Sequence, residues 1–140
     1  MTRGEVAFEN VGFAYEPGRA VLRGASFRIA PGATLAVVGA SGSGKSTLAR
    51  LLLRLYDPDE GAVRIDGQDL RRVTQQSVRD AVGIVPQDTV LFNDTIHYNI
   101  RYGRTDATGE EVVAAARAAH IHDFIESLPG GYETMVGERG

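Results

Sequence analysis

Six glycine-punctuated residues, Gly39-Ala40-Ser41-Gly42-Ser43-Gly44, separate two stretches of opposite character. Before them, Thr34-Leu35-Ala36-Val37-Val38 is short, apolar and β-branched, the pattern of a strand buried on both faces, as in a parallel sheet. After them, Leu48, Leu51, Leu52 and Leu55 follow i, i+3, i+4, i+7 and predict a helix from Lys45 to about Tyr56. A strand that feeds a glycine loop and then an amphipathic helix restricts the chain to the α/β class. With Lys45-Ser46 appended, the loop spells G-x-x-x-x-G-K-[ST], a phosphate-binding loop in the strand–loop–helix context that the motif requires.

The chemistry follows from the residue types. Glycines at 39, 42 and 44 let the backbone curl so that successive N–H groups point inward at an anion. The helix starting at Lys45 adds its positive end. Lys45 supplies a flexible point charge for the β- and γ-phosphates, Ser46 a hydroxyl for Mg²⁺, and Thr47 is placed to contact the α-phosphate. The remaining 14 basic residues are all Arg, so the sole Lys sits where a compact ammonium is not replaceable by a planar fork. The overlapping Gly42-x-Gly44-x-x-Thr47 lacks the third glycine and later acidic residue of a dinucleotide fingerprint, which disfavours NAD or FAD.

Elsewhere the chain reads as β-rich first and helical last. Val6, Phe8, Val11, Phe13 and Tyr15 alternate, broken near Asn10 and stopped by Pro17-Gly18. Val21-Leu22 and Phe27-x-Ile29 read as further strand, closed by Pro31-Gly32. Val63 and Ile65 followed by Asp66-Gly67 predict a hairpin with a type I′ turn. A short helix is expected near Gln75–Ala81, a second brief buried strand at Gly83-Ile84-Val85-Pro86, and one or two helical turns at Thr95–Ile100. Thr108-x-x-Glu111 is a capping box opening a helix to about Ala119, and a last helix covers Ile121–Leu128.

Composition excludes several classes. Hydrophobic content of 43% and charged content of 24% are those of a globular chain, and the absence of Cys removes disulfides, thiolate metal sites and a Cys nucleophile. A net charge of −3 argues against a dedicated nucleic-acid binder. Residues 1–5 lack the apolar run of a signal peptide, and no apolar stretch approaches the ~18 residues of a membrane span, so a membrane role requires a partner.

Other residues are ambiguous alone. Tyr15 reads as a core or surface aromatic, Gln87 as a loop residue after Pro86, and Arg71-Arg72 as a solvated face. His120 and His122, two apart, face different directions, which is poor geometry for a metal, and His97 is unremarkable.

Together these segments resemble the nucleotide-binding domain of the ATP-binding cassette family, in its exporter branch, over nearly the whole chain. Val11-x-Phe13-x-Tyr15 with Val21-Leu22 resembles the adenine-stacking segment, Gly39–Thr47 Walker A, and Val85-Pro86-Gln87-Asp88 the Q-loop. Leu91–Ile96 with Asn99–Gly103 resembles the transporter-facing segment of exporters. Leu128-Pro129-x-Gly131-Tyr132 and Val136-Gly137-Glu138-Arg139-Gly140 resemble the stretch leading into the signature loop. The wording is similar to that of mitochondrial-type iron–sulfur and glutathione-conjugate exporters and their bacterial relatives.

The resemblance implies an incomplete P-loop NTPase core. It divides into an N-terminal antiparallel β subdomain over 1–33, a P-loop segment with a small hairpin over 34–87, and the start of a helical subdomain over 88–140. ATP and Mg²⁺ are the implied ligands. The implied nucleotide contacts are Tyr15, Gly39, Ala40, Ser41, Gly42, Ser43, Gly44, Lys45, Ser46 and Thr47. Lys45 and Gln87 are implied in catalysis, and Ser46 and Gln87 at the metal. Implied partners are a transmembrane domain and a second, head-to-tail nucleotide-binding domain, with no nucleic acid, at the cytoplasmic face of a membrane.

In the family, a signature, a Walker B strand and a switch histidine follow the point corresponding to Gly140, and no segment of these 140 residues matches them. The expectation is therefore nucleotide binding without turnover. Marginal stability or self-association is also expected, because the neighbours of the 34–38 strand come partly from those further segments. Three other readings compete. A small P-loop kinase usually places its loop after the first strand, whereas about 38 β-rich residues precede this one. A DNA-associated cassette ATPase fits poorly with the 93–103 segment. A non-catalytic regulatory or dimerisation module differs only in what would follow Gly140.

Overall fold

The computed structural model describes residues 3–88 and 90–137, which divide into two compact units meeting between Ile84 and Val85. Residues 138–140 of the signature-proximal stretch, and Met1 and Thr2, lie outside the described residues.

The first unit is built on a four-stranded antiparallel sheet of order β2-β1-β3-β4, comprising β1 (Val6–Ala14), β2 (Ala20–Ile29), β3 (Glu60–Ile65) and β4 (Gln68–Asp69). The break predicted near Asn10 is a bulge. Asn10 adopts φ 48°, the β1–β2 register slips between Phe8 and Val11, and Ser26 Oγ accepts the Asn10 N–H at 2.9 Å. The hairpin forms as expected: Ile65 pairs with Gln68, and Asp66 and Gly67 both take the positive φ (52° and 78°) of a type I′ turn.

Two helices cover one side of this sheet, α1 (Lys45–Leu52) and α2 (Gln75–Ala81). Thr74 caps α2 by accepting the Ser77 N–H at 3.2 Å. Phe8, Val11, Phe13, Leu22, Leu51, Val63, Ile65, Leu70 and Val78 form one buried cluster, so β1–β3, α1 and α2 share a core.

Three expectations for this region are corrected. The α1 helix ends at Leu52 rather than near Tyr56, because Arg54 turns left-handed (φ 51°) and closes a Schellman motif, with Arg54 N–H bonding Leu51 O at 3.0 Å and Leu55 N–H bonding Arg50 O at 2.9 Å. The Arg54 guanidinium holds that turn by donating to Asp57, to Val73 O and to Arg71 O. The strands predicted at 34–38 and 83–86 are not formed, and every ladder among the described residues is antiparallel. Neither segment is hydrogen-bonded to a strand neighbour, so its apolar side chains face outward: Val38 is 88% and Val85 95% exposed.

The second unit contains β5 (Asp94–Thr95), paired antiparallel with β6 (Met135–Val136), and the helices α3 (Ile96–Arg101), α4 (Gly109–Ala118) and α5 (His122–Ser127). The capping box is present: Glu111 N–H donates to Thr108 Oγ1 at 3.3 Å and Thr108 N–H to Glu111 Oε2 at 2.8 Å. The α4 helix ends in a second Schellman motif at His120 (φ 57°), with His120 N–H bonding Arg117 O and Ile121 N–H bonding Ala116 O, each at 3.0 Å. His122 Nδ1 is 2.9 Å from the Tyr132 hydroxyl. Asn99 ties the chain ahead of α3 by accepting the Phe92 N–H at 2.8 Å and donating to Phe92 O and Thr95 O, each at 3.0 Å.

Asp69 is the buried acid of the first unit, 7% exposed, and it accepts from Arg71 N (3.0 Å), Nε (3.2 Å) and Nη2 (2.8 Å). The Arg71 guanidinium holds the carboxyl down to about pH 2 from 3.8. A depressed carboxyl pKa adds stability above the unfolded value and loses it as pH falls towards the folded one. Asp69→Asn is expected to cost about 2 kcal/mol at neutral pH, the linkage value of such a shift. Urea titrations of both proteins at pH 7 and pH 3 check this. The gap should shrink at pH 3, and an equal gap at both would show that charge is not its source.

Candidate functional site

The predicted loop lies between segment 34–38 and α1, and its shape comes from the residues at its two ends. Gly44 takes φ 91° as the residue before α1, and a Cβ there would lie 2.9 Å from Leu22 Cδ2 and 3.4 Å from Val21 Cγ1. The position therefore needs glycine twice, for the left-handed backbone and for the contact with β2. Ser43 N–H closes the turn onto Ala40 O at 3.2 Å.

Lys45 Nζ reaches back across the loop to Gly39 O at 2.7 Å and Ala40 O at 2.6 Å, with Ser43 Oγ at 3.5 Å. Two of its three protons are thus firmly placed. The third is held at the limit of a hydrogen bond, so it is the one most cheaply redirected to an anion above the loop. The amides that open α1 have no acceptor within the helix, and they add donors on the same side.

Ser46 is exposed in the first turn of α1, whereas Thr47 is buried and turns towards the sheet. Thr47 Oγ1 lies 3.1 Å from the Tyr15 hydroxyl. Tyr15 follows β1 and remains 41% exposed, with its ring met edge-on by Phe13 (4.8 Å) and Tyr56 (5.3 Å). Arg50 donates to the same hydroxyl at 2.9 Å. The Thr47 hydrogen bond, with help from Arg50, pulls the Tyr15 phenol below its ordinary pKa range.

An open cavity of about 510 Å³ is lined by Tyr15, Arg19, Val21 and Arg23 together with Gly42 and Ser43 of the loop. The fold therefore brings Tyr15, the loop, Lys45 and Thr47 together in one unit. Gln87 is an exposed residue of the second unit. Arg50 and Tyr56 were not anticipated from the sequence. The only available hint was that Thr47 and Arg50, three apart, share a helix face.

A family model described as ABC transporter matches residues 22–137. The chain belongs to the ABC transporter family. It is 61% identical over 138 residues to ATP-binding cassette sub-family B member 6 of Rattus norvegicus, covering 99% of this chain and 16% of that protein. It is 60% identical over 140 residues to an ATM1-type heavy metal exporter of Novosphingobium aromaticivorans, covering 100% of this chain and 23% of that one. To the mitochondrial iron–sulfur clusters transporter ATM1 of Gibberella zeae it is 60% identical over 137 residues, 98% of this chain and 20% of the relative.

A solved bacterial Atm1-family ABC exporter with ATP bound superposes at TM-score 0.89 and 60% identity, covering 99% of this chain and 24% of that one. The chain thus spans less than a quarter of the length of these ABC relatives. The exporter-branch resemblance and the fold class read from the sequence both hold.

Gly44 and Gly42 separate two costs at the ABC loop. Both are left-handed, but a Cβ at Gly42 meets open space. Gly42→Ala is expected to cost about 1–2 kcal/mol for the backbone alone. Gly44→Ala should add a further ~1–3 kcal/mol of overpacking against Leu22. Urea denaturation of the two variants measures the difference, and equal losses would show that the β2 contact does not restrict position 44.

Proposed function

We propose that this chain is the Mg-ATP-binding part of an Atm1-type ABC exporter, working with a membrane domain and a second copy of the same fold. The observation that carries the reading is the ordered loop with Lys45 folded over Gly39 and Ala40, opening onto a cavity walled by Tyr15. The adenine stacks on Tyr15, which by analogy with base–aromatic stacking is worth ~1–3 kcal/mol. The phosphates lie on the loop amides left unpaired by the fold, with Lys45 at the β- and γ-positions. Thr47, whose N–H bonds Gly44 O and whose buried hydroxyl meets Tyr15, ties the start of α1 to that ring.

The donor set suits Mg²⁺. Among the described residues no group of three or more His, Asp or Glu could hold a metal. An exposed Ser46 hydroxyl beside phosphate oxygens is the arrangement a hard, water-retaining cation accepts. Mg²⁺ bound there would neutralise charge on the β- and γ-phosphates. From the resemblance of Val85–Asp88 to the Q-loop, Gln87 is assigned a part at the metal and the attacking water.

Support for a membrane-domain partner comes from the second unit. In the segment that resembles the transporter-facing stretch, Phe92, Tyr98 and Tyr102 remain about half exposed, with ring centroids 4.3 to 6.3 Å apart. Among the described residues no helix is long and apolar enough to cross a membrane, so contact with the bilayer would run through that partner at its cytoplasmic face. Which substrate is exported is set by that partner.

By itself this polypeptide binds Mg-ATP without turning it over, because none of its segments resembles the Walker B carboxylate or the signature of the opposing domain. Calorimetric titration with Mg-ATP tests the reading, with Lys45→Ala and Tyr15→Ala alongside. Binding should be abolished in the first and weakened about tenfold in the second, within the stacking range. Phosphate release should stay at background in all three. Binding by the Lys45 variant equal to that of the parent would sink the proposal.

A further inference from the structure

The contacts around Tyr15 raise a question that the loop motif does not answer: what holds the aromatic wall at a fixed distance from the phosphate loop. Tyr15 lies just beyond β1 and is partly exposed, and such a ring at a strand end would ordinarily rotate about its side-chain torsions. Here both the ring and its hydroxyl have neighbours. Phe13 and Tyr56 meet the ring edge-on, at interplanar angles of 89° and 86°. The hydroxyl is held from α1 by Thr47 Oγ1 at 3.1 Å and by Arg50 Nη1 at 2.9 Å. The Arg50 guanidinium carbon also lies 5.7 Å from the ring centroid, within cation–π reach.

From this arrangement we infer that Arg50 is a positioning residue for the nucleotide base, clamping Tyr15 to the helix that carries Lys45, Ser46 and Thr47. The inference rests on the reading of Tyr15 and the loop as the two ends of one nucleotide site. Arg50 lies on the exposed face of α1 and donates to the tyrosine oxygen. Its effect therefore passes through Tyr15. Lys in its place would keep the charge but lose the planar, multi-donor fork that meets both the hydroxyl and the ring.

The clamp predicts a split between two ligands of similar charge. Mg-ATP uses both ends of the cavity, whereas inorganic tripolyphosphate uses the loop alone. Arg50→Ala is expected to weaken Mg-ATP about three- to tenfold, part of the stacking contribution, and to leave Mg-tripolyphosphate unchanged. Tyr15→Phe removes both hydroxyl bonds and should have a similar effect. The double variant should be no weaker than either single one, because the two changes break one linkage.

A second readout is independent of any ligand. In an ultraviolet tyrosinate titration, with Tyr15→Phe subtracted to isolate that phenol, its pKa should rise in Arg50→Ala towards the ordinary tyrosine value. Arg50→Lys guards against a folding defect and should fall between parent and Ala in both measurements.

Equal weakening of both ligands by Arg50→Ala would make Arg50 a phosphate-side or structural residue and overturn the proposal. Unchanged affinity for both, or strictly additive effects with Tyr15→Phe, would overturn it as well. Failure of the underlying site reading looks different. In that case the parent would bind neither ligand better than Lys45→Ala does, and the proposal would fall with it.

Discussion

The contact between Gly44 and β2 is the point on which the nucleotide loop depends. The α1 helix begins where its backbone lies against Val21 and Leu22, with no room for a side chain. Leu51, two turns further along, enters the same buried cluster as Leu22, Phe13 and Val63. Burying Leu51 contributes roughly 1.5–3 kcal/mol. An exposed charge at a helix N-terminus is worth about 0.3–1 kcal/mol. Packing therefore sets where α1 sits, and the positive end of the helix is aimed as a consequence. The anion site is anchored by the antiparallel sheet before any phosphate chemistry is considered.

Tyr15 joins that anchor from the other direction. Its ring extends the line of β1, and its hydroxyl reaches α1 through Thr47 and Arg50. Thr47 thus serves two neighbours, since its backbone N–H bonds Gly44 O at 3.0 Å while its hydroxyl meets the tyrosine. Tyr15 and the glycine loop are linked through one helical turn.

The parts of this structure that were legible in the sequence are those decided by local chemistry. Asp66-Gly67 dictated its turn, Thr108 with Glu111 dictated the start of α4, and α2 lies at the residues expected. The loop motif was legible because backbone freedom and one ammonium are enough to define it. What failed was non-local. Thr34–Val38 and Gly83–Pro86 have strand composition, but a strand is a property of two neighbours, and neither segment is paired among the described residues. The end of α1 was misplaced because an arginine, not a glycine, takes the left-handed position at 54, and its tolerance depends on distant carbonyls at Arg71 and Val73. Arg50 was invisible for the same reason: its partner is 35 residues away.

That division explains how an ordered loop can follow an unpaired segment. The last carbonyls of the stretch, Gly39 O and Ala40 O, are held by Lys45 Nζ, and Ala40 O also accepts the Ser43 N–H. These bonds arrive from the C-terminal side of the loop, from residues fixed by α1. They require no strand pairing at 34–38. The apolar side chains ahead of them have no such local solution, because burying Val37 and Val38 needs a surface laid against them. The phosphate site is thus organised from α1 backwards, and the sheet position of its leading strand is a separate, non-local problem. Lys45 thus organises the chain's own architecture with two protons and leaves its third only weakly held.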